Sequence, residues 1–572
     1  MRKMKNKIYN IGVGLIVLIL SGCVDLDREI ITSLTKEQVN SQYDFVLKQL
    51  TGLYSDLPNG YFEIGNGMQA SACDEADYTY QGSVQAINSG SWNQYNNPDD
   101  VFGRYYTAIR KVNDFLSPAA EVNLEAFRLD PSSDSQLIYS QRSAEIKNWK
   151  NEARFLRAFY YFELVKRYGG VPLITKPLTL ETDFSIIKRN SLIDCFNFIV
   201  SECDSVSAIG ALPVKYSGAE IGRVTKGAAL ALKSRVLLYK ASDLYNSPSQ
   251  WASGYQHPEL ISVTGDRPTM WKEAADAAKA VINLSSQAGY SLTIDYTSIG
   301  KKFDNPEIIM ARRNGTDNYF EQLNFPVGVD AIARGSVTPS QNLIDAYEMN
   351  NGTPFDWNNP AHSSDPYYNR DPRMGFTVFF NQSKFKTIFL DCTTGGKNAD
   401  GGVTNGTKTG YYLRKLVDPT LDLDLNRTSV HSWPLFRISE MYLNYAEALN
   451  EYKPGDADIL IYTNKTRQRK NVLMPAITET DQAKLRERIR NERRIELAFE
   501  GHRLWDVRRW MIAMDVLNQP LYGMSIVESN NILKYEKKEV EKRVFLPKMY
   551  FYPIPQSVLL TEGNDWPQNP LW

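Results

Sequence analysis

Asn151-Glu-Ala-Arg-Phe-Leu-Arg-Ala-Phe-Tyr-Tyr-Phe-Glu-Leu-Val-Lys-Arg-Tyr-Gly-Gly-Val-Pro-Leu173 reads as a helix followed by its own stop signal. Across 143–168, Ile146, Trp149, Ala153, Leu156 and Tyr160 recur at helical spacing. Gly169 and Gly170 come next and then Pro172; glycine past the last turn and proline just beyond it terminate helices. The same grammar recurs along the chain. Thr225 is a good N-cap ahead of Ala228, Ala231, Leu232, Arg235, Leu238 and Tyr239. The alanines admit a close neighbour, and 271–282, with Ala274, Ala277, Ala278 and Val281, is the expected partner. Ile438, Met441, Tyr445 and Ala448 mark another helix, and 485–499 one more. Alanine-rich helix pairs joined by loops predict a mainly α fold, an array of helical hairpins of tetratricopeptide type.

The stretch 290–433 departs from this pattern. It is rich in Gly, Asn, Thr, Asp and Pro, with Asn351-Gly352, Gly395-Gly396 and Gly401-Gly402. It predicts a loop-rich insertion with short strands, a natural place for a binding surface. The expected division is a leader over 1–22, helical regions over 23–289 and 434–572, and the irregular part between them.

The densest charge constellation runs from Ile489 to Trp510. Glu492, Glu496 and Glu500 repeat every four residues, as on one helix face. Paired carboxylates can do acid/base work on glycosidic bonds, so a surface glycoside hydrolase of helical architecture is the alternative reading. Against it, Arg490, Arg493, Arg494, Arg503, Arg508 and Arg509 surround the glutamates. Arginine neighbours lower carboxylate pKa values, whereas a general acid needs one raised. The expectation is a structural ion-pair lattice, with His502 capping or packing at the turn after Gly501. No GxSxG, HExxH or phosphate-binding glycine loop occurs, and the chain reads as a non-enzyme.

The N-terminus has its own signature. Arg2, Lys3, Lys5 and Lys7 precede an apolar stretch from Ile8 to Leu20, too short for a bilayer-spanning helix, which needs about 20 apolar residues. Leu20-Ser21-Gly22-Cys23 then resembles the bacterial lipobox, in which the cysteine is acylated and the chain is cut just before it. Asp25, Asp27 and Glu29 resemble the surface-export signal of Bacteroidota lipoproteins. The expectation is an outer-membrane protein anchored through lipid on Cys23. Of the other cysteines, Cys195 and Cys203 lie on one predicted helix. Eight residues place them roughly 12 Å apart, beyond the reach of a disulfide. No CxxC spacing exists and the four histidines are scattered, so no structural zinc site is expected; no ligand set places a calcium site, and no cofactor is read from the sequence. Lys and Arg number 65 against 66 Asp and Glu, with no basic stripe, which argues against a nucleic-acid partner.

Several blocks together resemble the SusD/RagB family. They are 151–173; Arg223-Val-Thr-Lys-Gly-Ala-Ala-Leu-Ala-Leu-Lys-Ser-Arg235; Asp371-Pro-Arg373; 437–450; 489–510; Tyr552-Pro-Ile-Pro-Gln556; and Gln568-Asn-Pro570. They are collinear and cover nearly the whole mature chain. The resemblance implies four tetratricopeptide-type helix pairs plus an irregular part. It also implies a surface lipoprotein that binds oligosaccharides, or in some members peptides, and passes them to a SusC-like TonB-dependent transporter.

Sugar rings pack their C–H faces on aromatic side chains, and their hydroxyls need planar polar partners. Two segments offer both. One is 74–95, with Asp77, Tyr78, Tyr80, Trp92, Asn93 and Tyr95; the other is 312–325, with Arg313, Asn314, Tyr319 and Phe320. Trp357, Tyr367 and Tyr368 are weaker candidates.

Overall fold

The computed structural model describes residues 41–117, 122–179, 181–400, 402, 405–561 and 565–572. The leader and Cys23 lie outside them.

The helices that build the array are α1 (Tyr43–Leu53), α2 (Phe102–Leu116), α3 (Ser133–Tyr168), α4 (Leu192–Ser207), α5 (Lys226–Ala241), α6 (Arg267–Ala288), α7 (Ile438–Tyr452), α8 (Ala457–Arg467) and α9 (Gln482–Glu496). From α2 onward each packs on its successor, and α9 also packs on α7. Side chains of Ser191, Thr225, Asp266 and Asp481 cap the starts of α4, α5, α6 and α9 by accepting backbone N–H bonds. The pairing of α5 with α6 is the one expected from their alanines. Helix α3 begins ten residues before the expected 143. Ser132 caps it, and no glycine or proline interrupts 133–168, so nothing stops the helix earlier. Its first half is polar and largely exposed, whereas from Trp149 onward it is buried on nearly every side. Charged residues in that buried half are paired: Arg157 with Glu202 at 2.9 Å, Arg167 with Asp99 at 3.0 Å and with Glu163 at 2.7 Å.

Helices α6 and α7 are direct neighbours although residues 289–437 intervene. The irregular part is therefore inserted into a continuous helical stack. Its strands pair in twos, one of them with a strand from earlier in the chain. β1 (Ala76–Tyr78) pairs antiparallel with β3 (Val337–Pro339), and β2 (Ile308–Asp317) pairs antiparallel with β4 (Ser429–Arg437). Near the C-terminus, β5 (Leu521–Ser529) and β6 (Ile532–Glu541) form a hairpin that the helical reading of 434–572 does not anticipate. Every sheet among the described residues has two strands. Cys195 and Cys203 both lie on α4, and Cys73, Cys195, Cys203 and Cys392 are buried and free.

Candidate binding surface

Pairing β1 with β3 brings the two aromatic segments of the sequence together. Register places Tyr78 opposite Val337, and the Thr79 hydroxyl donates to Gly335 O at 2.8 Å. Tyr80 donates to Arg334 O at 3.0 Å, which lays its ring across the loop before β3. Tyr78 and Tyr80 have ring centroids 6.1 Å apart. Burial raises the Tyr78 phenol, and the neighbouring phenols of Tyr319 and Tyr80 add to the effect. Tyr319 itself opens a short helix, Tyr319–Asn324, with its N–H held by Asp317 at 2.9 Å. Its ring packs against Phe62 at 5.3 Å and is 39% exposed. Phe62 and Tyr80 are half-buried, and Phe62 also touches Phe320. The result is a ledge of partly exposed rings from Phe62, Tyr80 and Tyr319. It is fringed by Asn59, bonded to Asn314 at 3.3 Å, and by exposed Arg334. Rings beside planar amides and a guanidinium form a surface onto which a flat ring with hydroxyls can stack.

The other candidates fall elsewhere. Asp77 is buried in β1, where burial raises its carboxyl and Arg543 opposes the rise. Phe320 is 1% exposed and packs under the ledge against Tyr61 at 4.6 Å. Trp92 is 2% exposed between Tyr552 and Trp572, at 5.1 and 4.7 Å, and is therefore core rather than surface. The C-terminal tail that covers it is far away in sequence. Asn93 stays in the same loop, where its side chain accepts the Tyr95 N–H at 2.8 Å. Tyr95 is 74% exposed, but its loop lies against the tail, with Gln94 O accepting from Gln556 N. Arg313 is on β2 opposite Ser432, in a separate cleft. Phe62 and Arg334 are absent from the sequence-based candidates. Asn59-Gly60-Tyr61-Phe62 carries the same aromatic-in-polar pattern and could have flagged the first of them.

The glutamate trio is structural, though not through the arginines beside it. Glu492 is bound by Arg373 at 2.5 Å and Arg467 at 3.1 Å. Glu496 is bound by Arg437 at 2.7 Å, Arg469 at 2.6 Å and Arg373 at 3.1 Å. Glu500 lies past the end of α9, where Arg437 reaches it at 2.6 Å and Lys415 at 2.7 Å. Adjacent helix positions point away from one another. Arg493 accordingly pairs with Asp506, Arg494 and Arg503 with Asp74, and Arg509 with Glu447. Burial alone would raise the Glu496 carboxyl, but Arg469, Arg437 and Arg373 outweigh it and hold the group at about 2. An acid held that low is a poor proton donor at neutral pH. His502 is buried at the turn, where burial and surrounding cations depress its pKa well below the ordinary value and keep it neutral. No cluster of three or more metal-ligating side chains occurs among the described residues, and no described helix is long and apolar enough to cross a membrane.

A helical-hairpin array with an inserted irregular part and an aromatic ledge defines a scaffold of the surface-binding class. Known proteins place it more closely. Residues 306–572 match the family described as the SusD family, and residues 33–238 match one described as starch-binding associating with outer membrane. The chain belongs to the SusD/RagB family. Among curated relatives, the SusD-like protein P38 of Formosa agariphila is 25% identical over 65% of this chain and 68% of its own length. The SusD-like protein P2 of the same organism is 22% identical over 99% of both chains. A crystal structure of a SusD-like protein from Bacteroides fragilis superposes with a TM-score of 0.76 at 28% identity, covering 94% of this chain and 99% of that one. A laminarin-binding SusD-like protein shares the fold, with a TM-score of 0.61 at 20% identity over 93% of this chain and 100% of its own.

Proposed function

We propose that this protein is a lipid-anchored, outer-membrane binding protein that captures oligosaccharides on the Phe62–Tyr80–Tyr319 ledge. It passes them to a TonB-dependent transporter of the SusC type and does no chemistry on them. The ledge carries the reading: partly exposed rings beside Asn59, Asn314 and Arg334. Family membership and the laminarin-binding neighbour support a glycan as ligand. Calorimetric titration against a panel of neutral and acidic oligosaccharides tests it. Each ring contributes about 0.5–1.5 kcal/mol beyond area burial, so Tyr319→Ala and Tyr80→Ala should each weaken the cognate glycan about two- to tenfold. Trp92→Ala should instead lower stability, by about 3–5 kcal/mol, with affinity kept in the folded fraction. Unchanged affinity in both ledge variants would place the site elsewhere, and released products would overturn the non-catalytic reading.

The tether follows from the leader and Cys23. A capture protein that gives up its ligand to a channel gains from being held beside it, because tethering raises effective concentration. Cys23→Ala should abolish incorporation of radiolabelled fatty acid and slow glycan uptake by cells, while the purified variant binds its glycan normally. Continued labelling of that variant would refute the assignment of Cys23.

A further inference from the structure

A second concave site lies away from the ledge, between the loop before α5, the end of α6 and strand β2. It is a cleft of about 280 Å³, near the low end of the roughly 300–1,000 Å³ typical of small-ligand sites. Tyr290 and Phe303 supply half-buried rings in its wall. Among the described residues, four charged side chains line it: Lys215, Arg223, Asp304 and Arg313. Arg223 is already neutralised by Glu152 and Glu220. Asp304 is exposed at the rim.

Among the described residues, Arg313 is held in place without a counter-charge. Its guanidinium stacks over the Phe303 ring at 4.0 Å and donates to the Ile221 carbonyl. Its aliphatic stem crosses Gly222, where a Cβ would sit 2.5 Å from Arg313 Cδ. Gly222 has φ +104°, a backbone conformation that glycine adopts freely. The loop therefore leaves room for the arginine at the cost of a side chain. No carboxylate of the described residues lies within ion-pair distance of Arg313, and none within that distance of exposed Lys215. A fixed guanidinium fork with free N–H groups matches the planar oxygens of a carboxylate or the oxygens of a sulfate ester. The rings offer a stacking face, and Asp304 can accept hydroxyl hydrogens.

We propose that this cleft is a second saccharide site, selective for a sugar unit that carries an anionic group, with Arg313 and Lys215 as the anion partners. The choice of a sugar over another anion rests on the glycan-binding reading above; the anion selectivity rests on the cleft alone.

The test titrates the full chain in detergent micelles with methyl glucuronide, glucose 6-sulfate and neutral methyl glucoside, read by ligand-observed saturation-transfer NMR. The neutral oligosaccharide panel is run in parallel to report on the ledge. The acidic sugars should bind and methyl glucoside should bind at least about tenfold more weakly, the scale of one or two charge-assisted hydrogen bonds. The tighter of the two acidic probes identifies carboxylate or sulfate as the preferred group. Arg313→Gln should erase the preference for acidic sugars, and Lys215→Gln, at an exposed side chain that folding does not need, should reduce it. Both should leave the ledge's neutral glycan unaffected. Equal binding of neutral and acidic sugars, or unaltered preference in both variants, overturns the proposal. So does loss of the acidic sugars in Tyr319→Ala, which would put the anion on the ledge. Binding of neutral glycans without acidic ones refutes only the cleft; acidic binding at the cleft without any ligand on the ledge refutes only the ledge.

Discussion

Asp74 and Glu75 are sequence neighbours with opposite fates. Arg494 and Arg503 clamp Asp74 at 2.6 and 2.8 Å, and its carboxyl lies far below the ordinary range despite burial. Glu75 points the other way. Among the described residues, one of its oxygens has no hydrogen-bond partner and the other meets the Phe499 N–H at 3.4 Å; burial together with the charge of Asp74 pushes its carboxyl up to about 8. An acid whose folded pKa is raised keeps its proton in the folded state at pH values where the unfolded chain has released it. The stability it contributes is whole below the ordinary value of 4.5 and is lost as pH rises toward 8. Gln has nearly the shape of the protonated acid and no charge to bury. Glu75→Gln should therefore match the wild type near pH 4 and exceed it near pH 8 by on the order of 3 kcal/mol. Urea titrations across that range check this; a constant offset between the two proteins at all pH values would show that Glu75 does not titrate there. Residues also mark the limit of what the sequence reveals. Trp92 and Tyr319 sit in equally polar, loop-like sequence, yet one is core and the other surface. The difference lies in Trp572 and Tyr552, whose return over Trp92 is a tertiary event with no local sign.

Elements were legible where their ends are chemically marked. Helix α3 stops where Gly169 and Gly170 say it should, and the cap at Thr225 starts α5. The β5–β6 hairpin was legible in principle. Asn530 and Asn531 both adopt positive φ, as the two central residues of a type I′ turn do, and Asn is a favoured residue there. The exposed, charged β6 hid that signal, because alternation weakens when neither face is firmly buried. Gly169 offers a test of how much a helix stop is worth. Its φ of +73° with ψ of −139° is glycine territory, and a Cβ there would lie 2.3 Å from Leu260 O. Gly210 has the same φ but open space where its Cβ would be. Gly210→Ala should cost only the backbone strain, about 1 kcal/mol. Gly169→Ala should cost about 3 kcal/mol or more, since the loop carrying Leu260 must also move. Urea midpoints at unchanged slope measure both; equal losses would mean that the contact with Leu260 yields freely.

At the scale of the molecule, the ion-pair lattice joins the inserted part to the helical stack. Arg437, at the end of β4, binds Glu307, Glu496 and Glu500 at 2.6, 2.7 and 2.6 Å. Arg373, from the insertion, reaches α9, and Arg469, just after α8, reaches back to Glu307 at 2.5 Å. The motif shows that the glutamates need arginines but not which ones, because Arg373, Arg437 and Arg469 converge from segments far apart in sequence. Removing one partner of a buried pair strands the other, which costs about 3–5 kcal/mol. Arg437→Met takes one cation from three carboxylates at once, leaving Glu307 and Glu496 to Arg469 and Glu500 to Lys415. It should lower the unfolding free energy at pH 7 by about 3 kcal/mol. The sign of the pH dependence is also fixed. Glu496 is held at about 2, so its contribution is present above 4.5 and disappears as pH falls toward 2. In the variant these acids, with one cation fewer, take up protons at higher pH, which relieves them, so the gap from wild type should narrow between pH 7 and pH 4. In the wild type, far-ultraviolet dichroism of the helices and near-ultraviolet signals of the insertion's aromatics should melt together, because neither part can leave without exposing the charges of the other. In Arg437→Met the two signals should separate, with the insertion lost first. Coincident melting in the variant would mean that apolar packing, not the lattice, holds the two parts together.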